Sequence, residues 1–207
     1  MSIRKILSPL VIIMLLSSAA IASETYTLKQ EDWNLSGYKG IHFTSRESEN
    51  QEEVTLEGHF HNYSGTIVYD KTNNLVESFQ IKIETGEESV KDYYVYTKDD
   101  IVRITHKGTP LFFSSSDSKN SVITIKSNML PKDDYNDFEA LVAVEFNGVK
   151  TNIDNSLVRI IPTNKGLRFN MTLTGLRFKD FNFTDPALEC GDITLEFEVY
   201  AEKSLKQ

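Results

Sequence analysis

The sequence predicts an all-β chain, and three observations carry that expectation: strict alternation in two long stretches, a tight-turn dipeptide between apolar runs, and no convincing amphipathic helix. In "GDITLEFEVYAEK", Ile193, Leu195, Phe197 and Val199 point one way while Thr194, Glu196, Glu198 and Tyr200 point the other, the period of two of a strand with one wet face. "LRFNMTL" repeats the pattern, with Leu167, Phe169, Met171 and Leu173 opposed to Arg168, Asn170 and Thr172. Asn147-Gly148 is the strongest turn signal, because a two-residue primed turn needs positive φ at both central positions.

Weaker alternation marks further strands at Val54 to Phe60, Thr66 to Asp70, Phe79 to Ile83, Val122 to Ile125 and Leu141 to Phe146, with runs near Ile41 to Thr44 and Thr151 to Ile161. Turn signals separate them at Lys71 to Asn74, Ser114 to Asn120 and Thr163 to Gly166. The count is about eight strands, and an antiparallel sheet of that size with one apolar face either closes on itself or packs on a second sheet. Pattern alone leaves both outcomes open. The segment Thr85 to Thr109 is charged, tyrosine-rich and poorly periodic. It reads as a long excursion between strands, with room for a turn of helix, and loops of this length in β domains often carry function. The acidic run Glu47 to Glu53 reads as a solvated strand or hairpin tip.

The first residues, "MSIRKILSPLVIIMLLSSAAIAS", combine a basic start (Arg4, Lys5), an apolar run from Ile6 to Leu16 and a small-residue tail ending Ala20-Ile21-Ala22. The run is too short to span a bilayer, so residues 1–22 are expected to be a cleavable secretory signal cut after Ala22. Removing 22 residues from 207 leaves 185, enough for one compact domain over residues 23–207. No cysteine sits beside the cut to take a lipid, and no later segment has the roughly 18 consecutive apolar residues of a membrane helix. The formal net charge of −8 falls to −10 once Arg4 and Lys5 leave, and an acidic surface repels nucleic acid and anionic lipid alike. Neither nucleic-acid binding nor stable membrane insertion is expected. Cys190 is the only cysteine; the core, without an internal disulfide, must hold the fold, and Cys190 is read as a free, partly buried thiol or as a link between two copies in a homodimer.

Chemistry-bearing clusters are sparse. His59 and His61 lie two apart, on one face of a strand, and two imidazoles at that spacing suit a metal ion, with His42, His106 or Glu57 as a third ligand. The same alternation puts Val54, Leu56 and Phe60 on the core side, so the histidines are expected to face solvent and a dedicated metal site is the weaker reading. No G-x-S-x-G elbow is present, "SSSDSKNS" reads as a turn, Asp99-Asp100 has nothing to single it out for acid–base work, and no glycine-rich phosphate loop appears. No catalytic residue and no cofactor is expected. The twelve Phe and nine Tyr fall largely on the inward phase, and "LRFKDFNFTD" alone carries Phe178, Phe181 and Phe183. An eight-stranded barrel is just wide enough to be filled by such side chains or to keep a cavity for one small ligand.

At "GHFHNYSGTIVYDKTNNLVESFQIKIET" the chain resembles the G-x-F-x-x-[FY]-x-G-T-[IVF]-x-[FY]-D signature of the YceI-like family, with Gly58, Phe60, Tyr63, Gly65, Thr66, Tyr69 and Asp70 in place. "FNGVKTNID" is similar to that family's L-x-G-V-x-[KR] hairpin, and "GLRFNMTLTGLRFKDFNF" to a later segment in which Lys179, Asp180, Phe181 and Phe183 fall in register. The likeness runs from about Trp33 to Lys203. It departs from the family at Tyr94 and Tyr96, which stand where a histidine and an arginine are usual, and in the polar opening strands, "FTSRESENQEEV".

The resemblance implies a single eight-stranded antiparallel lipocalin-like barrel with a long excursion after the third or fourth strand. It further implies an exported, periplasmic protein that encloses a long apolar molecule, isoprenoid, quinone or fatty-acyl, without catalysis. On this reading Phe60, Tyr69, Phe79, Ile81, Phe113, Val144, Phe146, Phe169, Met171, Phe181, Phe183 and Phe197 line the pocket, and Tyr94 and Tyr96 are polar guides at its mouth. The competing expectation is a sealed β-barrel that works as an interaction or stress-response module, its core packed solid and its acidic outer face doing the binding.

Overall fold

The computed structural model describes residues 23–30, 40–49, 52–85, 92–96, 101–105, 122–131, 137–181 and 192–204. The expected signal peptide, Cys190, Phe113, Phe183 and His106 lie outside the described residues. Twelve strands run in chain order: β1 (Glu24–Lys29), β2 (Gly40–Glu49), β3 (Glu52–Phe60), β4 (Tyr63–Asp70), β5 (Leu75–Glu84), β6 (Asp92–Tyr96), β7 (Ile101–Thr105), β8 (Val122–Pro131), β9 (Asp137–Phe146), β10 (Val149–Pro162), β11 (Gly166–Arg177) and β12 (Asp192–Lys203). A 3-10 turn, Phe178–Phe181, follows β11, and no α-helix occurs among the described residues.

Eight of these strands close a ring in the order β1-β4-β5-β8-β9-β10-β11-β12, with β12 returning to β1, and every ladder is antiparallel. This is the barrel that the family resemblance implied, and one of the two outcomes that the strand count left open. The remaining four, β2-β3-β6-β7, extend from β12. β11 occupies one edge of β12, so β1 and β2 share the other: β1 takes Tyr200 to Lys203, and β2 takes Asp192 to Glu198. The sheet therefore forks at β12. Toward one end of the barrel, along Tyr200 to Lys203, the wall is sealed sideways by β1, and toward the other it continues into β2 and β3.

Two readings of the sequence are extended by the structure. The expected excursion leaves the ring after β5, its third strand in chain order, and contains the β6–β7 hairpin, paired from Asp92↔Thr105 to Tyr96↔Ile101 and joined to β3 through Thr55↔Tyr96 to Gly58↔Tyr93. Its alternation was hidden because "DYYVY" and "IVRIT" carry aromatic or β-branched residues in both phases, so no wet face marks the period. The strand β1 went unread as well, although Tyr26 and Leu28 alternate with Thr25, Thr27 and Lys29 in its six residues. Elsewhere the expected strands form with longer bounds. The acidic run is a hairpin tip, with Glu49 opposite Glu52.

The inward phase of the ring is apolar on every strand: Tyr26 and Leu28, Ile67 and Tyr69, Phe79 to Ile83, Ile125, Phe138 to Phe146, Val158 and Ile160, Leu167 to Leu173, and Ile193 to Ala201 supply the core. Burying one such large side chain contributes about 1.5–3 kcal/mol. The outward phase is charged, with Lys82, Lys126, Glu145, Lys150, Arg168 and Glu196 among its members. That is the reverse of a membrane-spanning barrel, which turns its apolar band outward. No helix among the described residues is long and apolar enough to cross a membrane.

The signature residues have structural reasons to be there. Asp70 ends β4 and accepts hydrogen bonds from the Thr72 amide (2.8 Å), the Asn73 amide (3.2 Å) and Asn73 Nδ2 (2.7 Å), which folds the turn into β5. The hydroxyl of Tyr63 donates to the Lys29 carbonyl (3.1 Å), and Gln30 Nε2 donates to the Tyr63 carbonyl (2.9 Å), tying β4 to the end of β1. At Asn147-Gly148 the φ angles are 49° and 73°, the primed turn expected from the sequence. Gly65 is required for a different reason. A Cβ there would stand 2.4 Å from the Gln80 carbonyl oxygen and 2.8 Å from Leu28 Cδ1, so β4 and β5 pack through a position that admits no side chain. Gly65→Ala is expected to lower stability by about 1–3 kcal/mol, read as a shift in the urea midpoint; an unchanged midpoint would contradict this close approach.

Candidate functional site

The interior of the ring is the first place to seek a site. Phe60, Tyr69, Phe79, Ile81, Val144, Phe146, Phe169, Met171, Phe181 and Phe197, all expected to line a pocket, are buried there. Phe60 pairs with Phe43 at 5.1 Å between centroids, and both lie on the fork strands β3 and β2. Phe146 meets Phe181 edge-on at 5.8 Å, and Asn147 Nδ2 donates to the Phe181 carbonyl (3.1 Å), so the 3-10 turn is held against the end of β9. Tyr69 meets Tyr26 edge-on at 6.3 Å at the sealed end, where its hydroxyl bonds the Asn74 side chain. Tyr94 and Tyr96 fall on β6, opposite Glu57 and Thr55, and their side chains lie outside the described residues.

One contact crosses the barrel. Phe79 on β5 and Phe169 on β11 sit at opposite points of the ring, with three strands between them in either direction, and their rings meet edge-on at 5.0 Å. Phe79 is 3% exposed and Phe169 0%. Toward the sealed end lie Val76 on β5 and Leu167 on β11; away from it lie Ile81, Ile83, Met171 and Leu173. The interior is thus divided at mid-height by two aromatic rings. The alternation of "LRFNMTL" assigned Phe169 its inward side, but nothing in a period of two says which distant strand it faces.

A second cluster lies outside the ring, at the fork. His42 on β2 stands opposite Glu196 on β12 and opposite His59 on β3. Its Nε2 lies 3.0 Å from Glu57 Oε1 and its Nδ1 3.5 Å from Glu196 Oε2, while the His59 ring stacks obliquely at 4.7 Å. His42, His59 and Glu196, with Asn170, Thr172 and Glu198, line an outward hollow of about 340 Å³. The expectation that His59 faces solvent is corrected here. His59 has the outward phase, but it is half-buried, with the His42 ring against it and Asn170, Thr172 and Glu196 lining the same hollow. Alternation reports a face and not a depth. Among the described residues no group of three or more His, Cys, Asp or Glu side chains is arranged to hold a metal ion.

No family model and no curated protein matches the chain. Among solved structures it is similar to a polyisoprenoid-binding domain from Saccharophagus degradans implicated in plant cell wall breakdown, with 11% identity over 88% of this chain and 100% of that one, at a TM-score of 0.50. It is also similar to BcnA of Burkholderia cenocepacia, with 12% identity over 78% of this chain and 94% of that one, at a TM-score of 0.49. At such identity the first of these likenesses speaks for the fold. That fold is the lipocalin-like barrel implied by the YceI-like resemblance, which it supports.

The outer cluster has a consequence for acid stability. Burial, then the charges of His42 and His61, push His59 down from 6.5 to about 4. Below its unfolded value the unfolded chain binds this proton and the native chain does not, so the native state loses stability as pH falls from about 6.5 toward 4. Glu24 acts in a lower window. Lys203, Tyr26 and Lys71 hold it down to about 2 from 4.5, so its contribution is lost as pH falls from about 4.5 toward 2, mostly after His59 has acted. Urea midpoints recorded at pH 7, 5 and 4 should fall less steeply for His59→Gln than for the parent. Parallel slopes would mean that His59 keeps an ordinary pKa.

Proposed function

We propose that the protein is an exported, periplasmic carrier of the YceI-like type that encloses one long apolar molecule, isoprenoid, quinone or fatty-acyl, for transport or storage, and that it catalyses no reaction. The observation that carries this reading is a closed antiparallel ring whose inward phase is apolar on every strand while its outward phase is charged. An interior of that kind selects a guest without charge, since burying an unpaired charge in it costs several kcal/mol or more. The fold shared with a polyisoprenoid-binding domain supports the same class of ligand.

The energetics are favourable without any polar contact. Each buried methylene contributes about 0.8 kcal/mol, so some fifteen carbons give roughly 12 kcal/mol, and immobilising a flexible chain cancels about half of that. The remaining ~6 kcal/mol corresponds to binding in the tens of micromolar. The edge-on meeting of Phe79 and Phe169 favours the second reading, a sealed barrel whose partners bind outside. Native mass spectrometry of the protein purified from its own host separates the two. A carrier retains a lipid as a mass increment that organic solvent removes; repeated recovery of the bare polypeptide, with no uptake of added isoprenoids, would leave the sealed barrel.

A further inference from the structure

We propose that a second hollow, on the outer face of the ring over Ala143, is a binding site for a phosphate group. The site lies outside the barrel and holds whether the interior carries a guest or is packed shut. Its origin is in the strand register. Thr66, Gln80, Lys126, Ala143 and Asn152 stand opposite one another in turn across β4, β5, β8, β9 and β10, all on the outward phase. Ala143 is the one residue of that row with no side chain beyond Cβ, so the longer neighbours rise around it. The result is a hollow of about 570 Å³, to which Ser78, Leu141 and Lys150 add walls.

The chemistry of the lining is one-sided. It holds two ammonium groups and no carboxylate, on a chain whose formal net charge is −8. Many exposed basic side chains elsewhere on the ring stand beside an acid: Lys29 beside Glu202, Lys71 and Lys203 beside Glu24, Arg159 beside Asp137, Arg168 beside Glu198. Lys126 and Lys150 make no ion pair or hydrogen bond among the described residues, and Glu145, opposite Lys150 in the next row, stays beyond ion-pair distance of it. The side chains of Thr66, Ser78, Gln80 and Asn152 likewise have no hydrogen-bond partner among the described residues, which leaves four neutral donors around the same space. Two strand spacings across and two residues along put the Cα atoms of Lys126 and Lys150 about 12 Å apart, a span that two extended lysine side chains close around one tetrahedral dianion. A planar carboxylate is gripped better by the fork of an arginine, and the lining has none; a phosphate takes separate point charges and spreads its remaining oxygens over neutral donors.

The test is a titration of the purified protein with inorganic phosphate at low ionic strength, read by backbone amide shifts. Saturating shifts centred on Lys126, Ala143 and Asn152 are expected. Lys126→Gln and Lys150→Gln should each weaken the affinity on the order of tenfold, while Lys82→Gln, one row away and outside the lining, should change it by no more than about twofold. Ala143→Leu, which fills the hollow from the outward face and leaves the core alone, should abolish the saturable shift with the urea midpoint retained. Sedimentation with phosphatidylcholine vesicles, with and without phosphatidic acid, separates the sources of the group. Binding of phosphate in solution alone assigns a soluble phosphate-bearing molecule, and added retention on the phosphatidic acid vesicles, lost in Lys126→Gln, assigns a lipid headgroup. Absence of a saturable shift in the parent, or equal affinity in the parent and the two lysine variants, would overturn the site. Neither result bears on the interior of the barrel, whose content native mass spectrometry reads separately.

Discussion

Ring closure by β1 is the constraint on which the rest of this structure depends. Six residues supply hydrogen bonds to β12 on one side and β4 on the other, and without them both neighbours would present open edges. The strand is fixed by more than its ladders. Glu24 accepts from the Tyr26 hydroxyl (2.6 Å), lies 2.9 Å from Lys71 Nζ in the β4–β5 turn, and bonds Lys203 at the end of β12. The two lysines are more than half exposed, and solvent screening keeps their pairs with Glu24 weak. Their value is positional: three elements that must meet for the barrel to close are tied to one carboxylate.

Because β1 spans only part of the edge of β12, the same closure creates the fork. β2 takes the remaining length and carries β3, β6 and β7 with it, so a single strand edge serves two partners in succession. Outside the fork, His42 joins the carboxylates of Glu196 and Glu57, which belong to the ring wall and to the extension respectively. Inside it, Ile41, Phe43 and Phe60 extend the apolar lining. The fork is where the sealed barrel and the added sheet share one core.

Much of this was legible in the sequence, for reasons that can be named. β11 and β12 each present one wet face, so their period of two survives in the amino-acid order, and the inward placing of Phe169, Met171 and Phe197 follows from it. Asn147-Gly148 required the turn it makes. β1 was obscured by its shortness and by its place directly after the apolar opening run, and β6 and β7 by carrying aromatic or β-branched residues in both phases. The half-burial of His59 depends on what β2, β11 and β12 bring around it at the fork, and the meeting of Phe79 with Phe169 depends on which strands stand opposite in a closed ring. Both are properties of closure and shear, which no local pattern encodes. The signature around Gly65 and Asp70 was recognisable as a motif before its causes were visible: a backbone approach too close for any Cβ, and a carboxylate that folds the next turn.

The central claim is that a guest lies inside the ring. Photocrosslinking with a diazirine-bearing isoprenol, followed by peptide mapping, tests it most directly. Labels on inward residues such as Ile81, Met171, Leu173 or Phe197 are the predicted result. Labels confined to outward residues such as Leu141 or Leu157, or no specific labelling at all, would contradict it.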